Sequence, residues 1–333
     1  MSPVGAGVIG LGFMGRTHLE AYRQAGARIV AVCDGSAERL TGRVAGGGNI
    51  GAGGGERLFD PGEVVATADL DEMLSADGLD VVSVCTPTDT HVEVARRVIG
   101  AGKHVLVEKP VALEARPVEE LGELARERGV LAMPAMCMRF WPAWAWVKAA
   151  VEDGRYGAVR AARFERLGAR PTWGGGFYED AQRAGGAIFD LHIHDTDFVV
   201  HLFGEPERAE SAGDRDHVTT LYRYGAGGPA HVCAQGGWLR GAEAPFVMRM
   251  LIEFERAVAA FELGREGELR VYPAGGGEGR PELSAETGWE AEVAALVRAV
   301  ERGEATPPAT MESAAASTRV VQQELASLRG GER

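Results

Sequence analysis

Lysine is nearly missing from this chain. Three residues, Lys103, Lys109 and Lys148, stand against 32 arginines. Plain positive surface charge is supplied here by arginine, so each lysine is weighted toward a use of its own. Cysteine is sparse too: Cys33, Cys85, Cys137 and Cys233 lie far apart and mostly inside apolar runs. That spacing excludes a disulfide framework and a zinc-ligand cluster, and reads as reduced core residues. No apolar run approaches membrane-spanning length, and no basic segment followed by an apolar one opens the chain. Neither a membrane protein nor a signal peptide is read from it, and a cytoplasmic location is expected. Positive charge in excess is also lacking. The formal net charge is −13, with no patch of basic residues interleaved with aromatics, so nucleic acid and anionic membranes would be repelled at long range.

Glycine, by contrast, is abundant, with 47 residues in 333. Most of the G-x-G-x-x-G spacings this produces carry no information. Gly5-Gly7-Gly10 leaves only four residues for a preceding strand, and Gly46-Gly48-Gly51 has neither strand before it nor helix after it. Gly10-Leu11-Gly12-Phe13-Met14-Gly15 differs. It follows the apolar Val8-Ile9, opens a segment of helical length, and leads to a second apolar run, Ile29–Cys33, ending on Asp34. In this context Gly10 permits the tight turn, Gly12 lets a pyrophosphate approach the backbone, and Gly15 lets helix pack close on strand. The diphosphate would meet the unpaired N–H groups of the helix N-terminus. Asp34, nineteen residues after Gly15, can accept both hydroxyls of an adenosine ribose and would repel a 2′-phosphate, which argues for NAD over NADP.

The following residues repeat strand and helix with short connections. Predicted elements are a helix over 36–45, strands at 64–66, 80–85, 104–108 and 130–133, and helices at 69–74, 89–101 and 114–128, with the glycine tract 46–56 as a surface loop. This is a doubly wound parallel sheet, assigned to a first domain of residues 1–134. Beyond it the rhythm changes. A tryptophan-rich helix follows Arg139-Phe140-Trp141-Pro142, and strand candidates at 158–167, 217–224, 230–237, 246–254, 257–263 and 268–272 form a second α/β domain, 135–333. That domain is built on a largely antiparallel open sheet. Its open face calls for a cover, and a second subunit is the expected one, giving a homodimer or homotetramer. The closing helices, 288–302 and 310–328, are candidates for packing back on the first domain.

Three clusters carry chemistry. Lys109, between Glu108 and Pro110, follows a parallel strand at the ligand edge of the sheet, where a lysine can donate a hydrogen bond to a substrate oxygen or share its proton. The alternative is a lysine in a surface loop. Residues 185–204 read as one helix closed by Gly204, with Asp190, His194, Asp197 and His201 on a single stripe. There Asp190 can orient His194 as a general base. A buried pair that only ties the helix to its sheet is the bland reading, and a three-ligand metal site the third. The last is disfavoured because Lys109 would sit poorly beside a cation, so no metal is expected. His192 and Asp195 point elsewhere, in structural or rim roles. Thr86-Pro87 with His91 lines the nicotinamide end, His91 being either a contact or a packing residue. Trp141 and Trp144 read as core. Trp173, flanked by glycines, is a stacking platform for a polyhydroxy ring or part of a lid.

Together GLGFMG at 10–15, Asp34, TPTDTH at 86–91, EKP at 108–110, RFWPAW at 139–144 and GGAIFDLHIHDTDFVVHLFG at 185–204 resemble the glucose-fructose oxidoreductase / inositol dehydrogenase / rhizopine-catabolism (Gfo/Idh/MocA) family. The resemblance implies a Rossmann domain, a second domain whose open sheet makes oligomers, and hydride exchange between NAD and a secondary alcohol or ketone of a sugar, polyol or related ring. Carried onto this sequence, it makes Lys109, Asp190 and His194 catalytic, with His194 the proton acceptor. Gly10, Gly12, Phe13, Met14, Gly15, Asp34, Thr86, Pro87, His91 and Glu108 form the cofactor set, and Trp173 and Asp197 are substrate candidates. The chain departs from the family at the glycine tract and at His192, where many members carry a small residue. Two other readings remain: an NADH-driven reductase of a cyclic or conjugated ketone, and a noncatalytic NAD-binding sensor or scaffold.

Overall fold

The first strand, β1 (Gly5–Ile9), has no polar side chain and is buried along its whole length, as suits a strand covered on both faces. The computed structural model describes residues 3–43, 58–172 and 174–330, so the glycine tract 46–56 and Trp173 lie outside the described residues. After β1 come α1 (Phe13–Gln24), β2 (Arg28–Cys33), β3 (Val65–Thr67), α2 (Leu70–Leu74) and β4 (Val81–Val84). They are followed by α3 (His91–Gly100), β5 (His104–Glu108), α4 (Ala115–Arg128) and β6 (Ala132–Ala135). These strands pair in parallel in the order β3-β2-β1-β4-β5-β6. The order reverses between β1 and β4, and ligands of open α/β sheets sit outside the carboxyl ends of the strands at such a point.

The rest of the chain supplies α5 (Pro142–Glu152), β7 (Val159–Ala169), α6 (Ala181–Ala184), a π-helical turn at Ile188–His192 and α7 (Ile193–Phe203). Then come β8 (Arg208–Asp214), β9 (His217–Arg223), β10 (His231–Leu239), β11 (Val247–Phe254), β12 (Ala257–Glu262) and β13 (Leu269–Pro273). Two helices follow, α8 (Gly288–Arg302) and α9 (Met311–Gly330). The second sheet runs β13-β12-β11-β7-β10-β9-β8, antiparallel at every pairing except β7 with β10. One face is covered. Along β11, Met248, Met250, Ile252 and Phe254 are buried while Arg249, Leu251 and Glu253 are exposed. The covered face meets α7 through Phe164 and Phe198, with Trp144 and Phe261 stacked edge-on around them. The chain divides into two units, Met1–Cys137 with Glu286–Ala315, and Met138–Ala285 with Ala316–Arg333. No helix among the described residues is long and apolar enough to cross a membrane.

Three expectations need correction. The helix over 36–45 is, in its described part, only a 3-10 turn at Arg39–Thr41, where Gly42 takes a left-handed conformation. β8 was not expected: it is a polar edge strand whose extended form comes from pairing with β9, not from apolar alternation of its own. The segment 188–203 is not one regular helix, because the π-helical turn before α7 breaks the 100° stepping that placed four side chains on one stripe.

Candidate active site

In the first unit the glycine turn shows three different steric reasons for three glycines. Gly10 has φ +86°, and a Cβ there would lie 2.6 Å from the Cys85 carbonyl oxygen. At Gly15 a Cβ would fall 1.8 Å from the Gly10 carbonyl oxygen, so only glycine lets α1 approach the turn. Gly12 is the opposite case. Nothing lies within 4 Å of where its Cβ would be, and it is the N-cap of α1 without a side-chain cap. Open space in front of uncapped N–H groups at Phe13 and Met14 fits a dinucleotide pyrophosphate. Asp34 ends the neighbouring strand and is 8% exposed. Its Oδ2 accepts the Leu11 N–H at 2.7 Å and faces Arg39 Nη1 at 3.3 Å, while Oδ1 accepts the Ser36 N–H. The acid therefore braces the turn from the ribose side.

Thr86 and Pro87 continue from β4 at the same sheet edge. His91 is 1% exposed and lies between two carbonyl oxygens, that of Thr86 at 2.7 Å from Nε2 and that of Pro110 at 2.9 Å from Nδ1. It ties the 86–90 loop to the segment after β5. Burial pushes the imidazole below its ordinary pKa, against the upward pull of the two carbonyls. Glu108 is also internal, at 5% exposure, with its carboxylate on His18 and on the Lys109 N–H. A buried carboxylate takes the donors that surround it, and here those are protein groups. Lys109 differs from its neighbours: residues 105–108 and 110–112 are buried, and Lys109 alone in that run reaches the surface. A cis peptide bond joins it to Pro110.

The second unit repeats this pattern. Across residues 184–199 every residue is buried except Asp190 and His194. Asp190 belongs to the π-helical turn, and its Oδ2 accepts the indole N–H of Trp238, on β10, at 3.1 Å. Trp238 is itself held by Arg170 over its ring and by the edge of Tyr178. The supporting role of Trp238 was not foreseen, and only its position on a strand facing the helix reveals it.

The other polar residues of this helix are committed inside the protein. Asp195 makes a two-pronged pair with Arg166 at 2.8 and 3.2 Å. Asp197 does the same with Arg139 at 2.6 and 2.9 Å and also accepts from Ser317. Asp197, a substrate candidate from the sequence, is 1% exposed, and a carboxylate at that depth is held by its counter-charge. His192 faces Glu324 at 3.3 Å, with both side chains fully buried, a structural role rather than a rim one. Among the described residues no group of three or more His, Cys, Asp or Glu is placed to hold a metal ion.

His201 supplies a pH prediction. Burial, and then the charges of Arg139 and Lys148, hold its pKa down at about 4, against the ordinary 6.5. The unfolded chain binds the extra proton first, so His201 costs stability progressively as pH falls from about 6.5 to about 4. His201→Gln is expected to flatten the fall of Tm across that window. Parallel Tm–pH curves for parent and variant would contradict the assignment.

A reversing parallel sheet, a glycine turn with room for a pyrophosphate and an acid at the end of the second strand define a nicotinamide-dinucleotide-binding oxidoreductase. A family model described as "Oxidoreductase family, NAD-binding Rossmann fold" matches residues 4–136, and one described as "GFO/IDH/MocA C-terminal domain" matches residues 144–270. The chain belongs to the Gfo/Idh/MocA family, and its first domain is that family's NAD-binding Rossmann fold. It is 28% identical over 334 residues to an inositol 2-dehydrogenase of Rhizobium meliloti (strain 1021), covering 93% of this chain and 92% of that one. Over 138 residues it is 35% identical to an uncharacterized oxidoreductase of Synechocystis sp., a match spanning 40% of this chain and only 37% of that relative. A levoglucosan dehydrogenase solved with NADH and levoglucosan shares the fold, with TM-score 0.81, 19% identity and coverage of 99% and 98%.

Proposed function

We propose that this protein is an NAD-dependent dehydrogenase that interconverts a secondary alcohol and a ketone on a sugar, cyclic polyol or related small molecule. The observation that carries this reading is the exposure pattern. In two otherwise buried runs, the residues that reach the surface are an amine, Lys109, in one, and a carboxylate and an imidazole, Asp190 and His194, in the other. A noncatalytic NAD-binding sensor has no use for that selection. The name of the inositol 2-dehydrogenase relative supports a polyhydroxylated substrate.

NAD, when bound, supplies the hydride acceptor or donor. The chain's own groups manage the proton and the developing charge. His194 accepts the hydroxyl proton as its carbon is oxidised, with Asp190 favouring the proton-accepting tautomer and stabilising the imidazolium. Asp190 is in turn oriented by Trp238. The Lys109 ammonium donates to the substrate oxygen and stabilises the developing alkoxide. The uncovered face of the second sheet, with Leu251 at 46% exposure, supports a homodimer or homotetramer. An absorbance assay for NADH over cyclic polyols, sugars and sugar acids tests the proposal. Tight NAD binding with no reduction of NAD across the whole panel, and no NADH oxidation by the matching ketones, would count against it.

Preference for NAD over NADP rests on Asp34. Its carboxylate would repel a 2′-phosphate, while Arg39 stands beside it with its side chain half exposed. Asp34→Ser removes the repulsion and frees the guanidinium. The ratio of kcat/KM for NAD to that for NADP is expected to fall at least ~10-fold, the size of one charge–charge repulsion of roughly 1.4 kcal/mol. An unchanged ratio would place the discrimination elsewhere.

A further inference from the structure

The proposed reaction uses only the lysine of Glu108-Lys109-Pro110, yet the glutamate before it is the more elaborately held residue. Glu108 closes β5, and its Oε1 lies 2.9 Å from Nε2 of His18, a fully buried residue of α1. Oε2 accepts the backbone N–H of Lys109 at 3.0 Å. The second imidazole nitrogen, Nδ1, lies 2.9 Å from Oγ of Ser83 on β4, and that oxygen is 2.9 Å from the Tyr22 hydroxyl. The hydrogens can be placed by asking which groups only accept. A carboxylate accepts, so His18 donates through Nε2. Nδ1 then accepts from the Ser83 hydroxyl, and Ser83 accepts from Tyr22. The chain Tyr22–Ser83–His18–Glu108 thus runs in one direction, with every hydrogen matched to an acceptor, and stops at the backbone of Lys109.

Several charges face Glu108. Burial alone would raise its pKa, but the hydrogen bond from His18, aided by the nearby Lys109 ammonium, outweighs it and brings the carboxyl below its ordinary range. Glu292, on α8, is the contrasting acid. It is fully buried with neither oxygen hydrogen-bonded, and burial with the charge of Glu108 pushes its carboxyl well above the usual range. Cys85, after β4, is held as a thiol by burial and by the same two acids. Two acids shifted in opposite directions therefore share this interior, and the one held down is the one bonded to His18.

We propose that His18 is a positioning residue for Lys109, acting through Glu108: the imidazole holds the carboxylate in place by a buried hydrogen bond, and the carboxylate fixes the lysine's backbone and supplies the counter-charge to its ammonium. The inference builds on the reading of Lys109 as the group at the substrate oxygen, but its test needs no substrate. Because the chain has only three lysines, each can be followed by mass spectrometry after a brief exposure to acetic anhydride. Lys103 and Lys148, whose ammonium groups bond the Leu79 and His201 carbonyls, serve as internal references.

In His18→Leu the carboxylate loses its main side-chain donor and its fixed place beside the lysine, and the Lys109 amine becomes more available. Its labelling relative to the references, near pH 9, is expected to rise at least ~3-fold. Glu108→Gln, which preserves shape, is expected to give the same rise, and His18→Gln, which keeps an N–H for Glu108, to return the ratio toward the parent. Circular dichroism and NADH fluorescence titration show which variants remain folded and competent to bind. An unchanged Lys109 ratio in folded Glu108→Gln or folded His18→Leu overturns the proposal. If the ratio shifts as stated but Lys109→Ala turns over normally, the link from His18 to Lys109 stands and the catalytic reading of Lys109 is the part that fails.

Discussion

Lys109→Ala is expected to lower turnover at least ~100-fold while NADH affinity stays within about threefold, and His194→Ala to do the same. A hundredfold loss corresponds to roughly 2.7 kcal/mol of transition-state stabilisation, which a positioned proton-transfer group or charged donor commonly supplies. The split between turnover and binding is the diagnostic part. Neither side chain belongs to the glycine turn or to the acid that braces it, so removing either leaves the dinucleotide's anchors in place. Single-turnover hydride transfer, with NADH titration alongside, separates the two effects. Asp190→Asn should fall between parent and His194→Ala, because it keeps an oxygen for the Trp238 N–H but loses the charge that supports an imidazolium. Normal turnover in both alanine variants would remove these residues from the mechanism.

The glycine turn was legible in the sequence because its reasons are local. Gly10, Gly12 and Gly15 each answer a demand set within a few residues, and strand and helix on either side leave their own periodicities. Lys109, Asp190 and His194 could be named on the same basis, as chemistry-bearing types at strand and helix positions. What escaped was pairing across long separations. Glu108 finds its donor 90 residues away in His18, and Asp197 finds its guanidinium 58 residues away in Arg139. A list of residue types shows a carboxylate in each place but not whether a ligand or a protein cation neutralises it. β8 and the π-helical turn escaped for a related reason, since a neighbouring strand shapes one and tertiary packing the other. The exposure pattern supports the proposed choice among them. Of the acids and imidazoles between Asp190 and Asp197, the two with access to solvent are those assigned to the reaction.

The committed charges have a consequence for stability, and it is the second large effect expected. Arg166 and Asp195 face each other at 2.8 Å with side-chain exposures of 3% and 0%, between β7 and α7. Removing one partner leaves a full charge in the interior, so Asp195→Leu and Arg166→Met are each expected to destabilise the protein by about 3–5 kcal/mol. The double replacement should cost far less than the sum, because no orphaned charge remains and leucine and methionine can fill the space beside Trp144 and Met248. Urea denaturation of the four proteins measures this cycle. A small, additive pair of effects would mean that water reaches the site and that the pair contributes little. A large coupling would show why a helix so rich in acids and imidazoles can be buried at all. Each ionisable side chain that is sealed in has its own counter-charge, and that arrangement holds rigid the backbone from which Asp190 and His194 are presented.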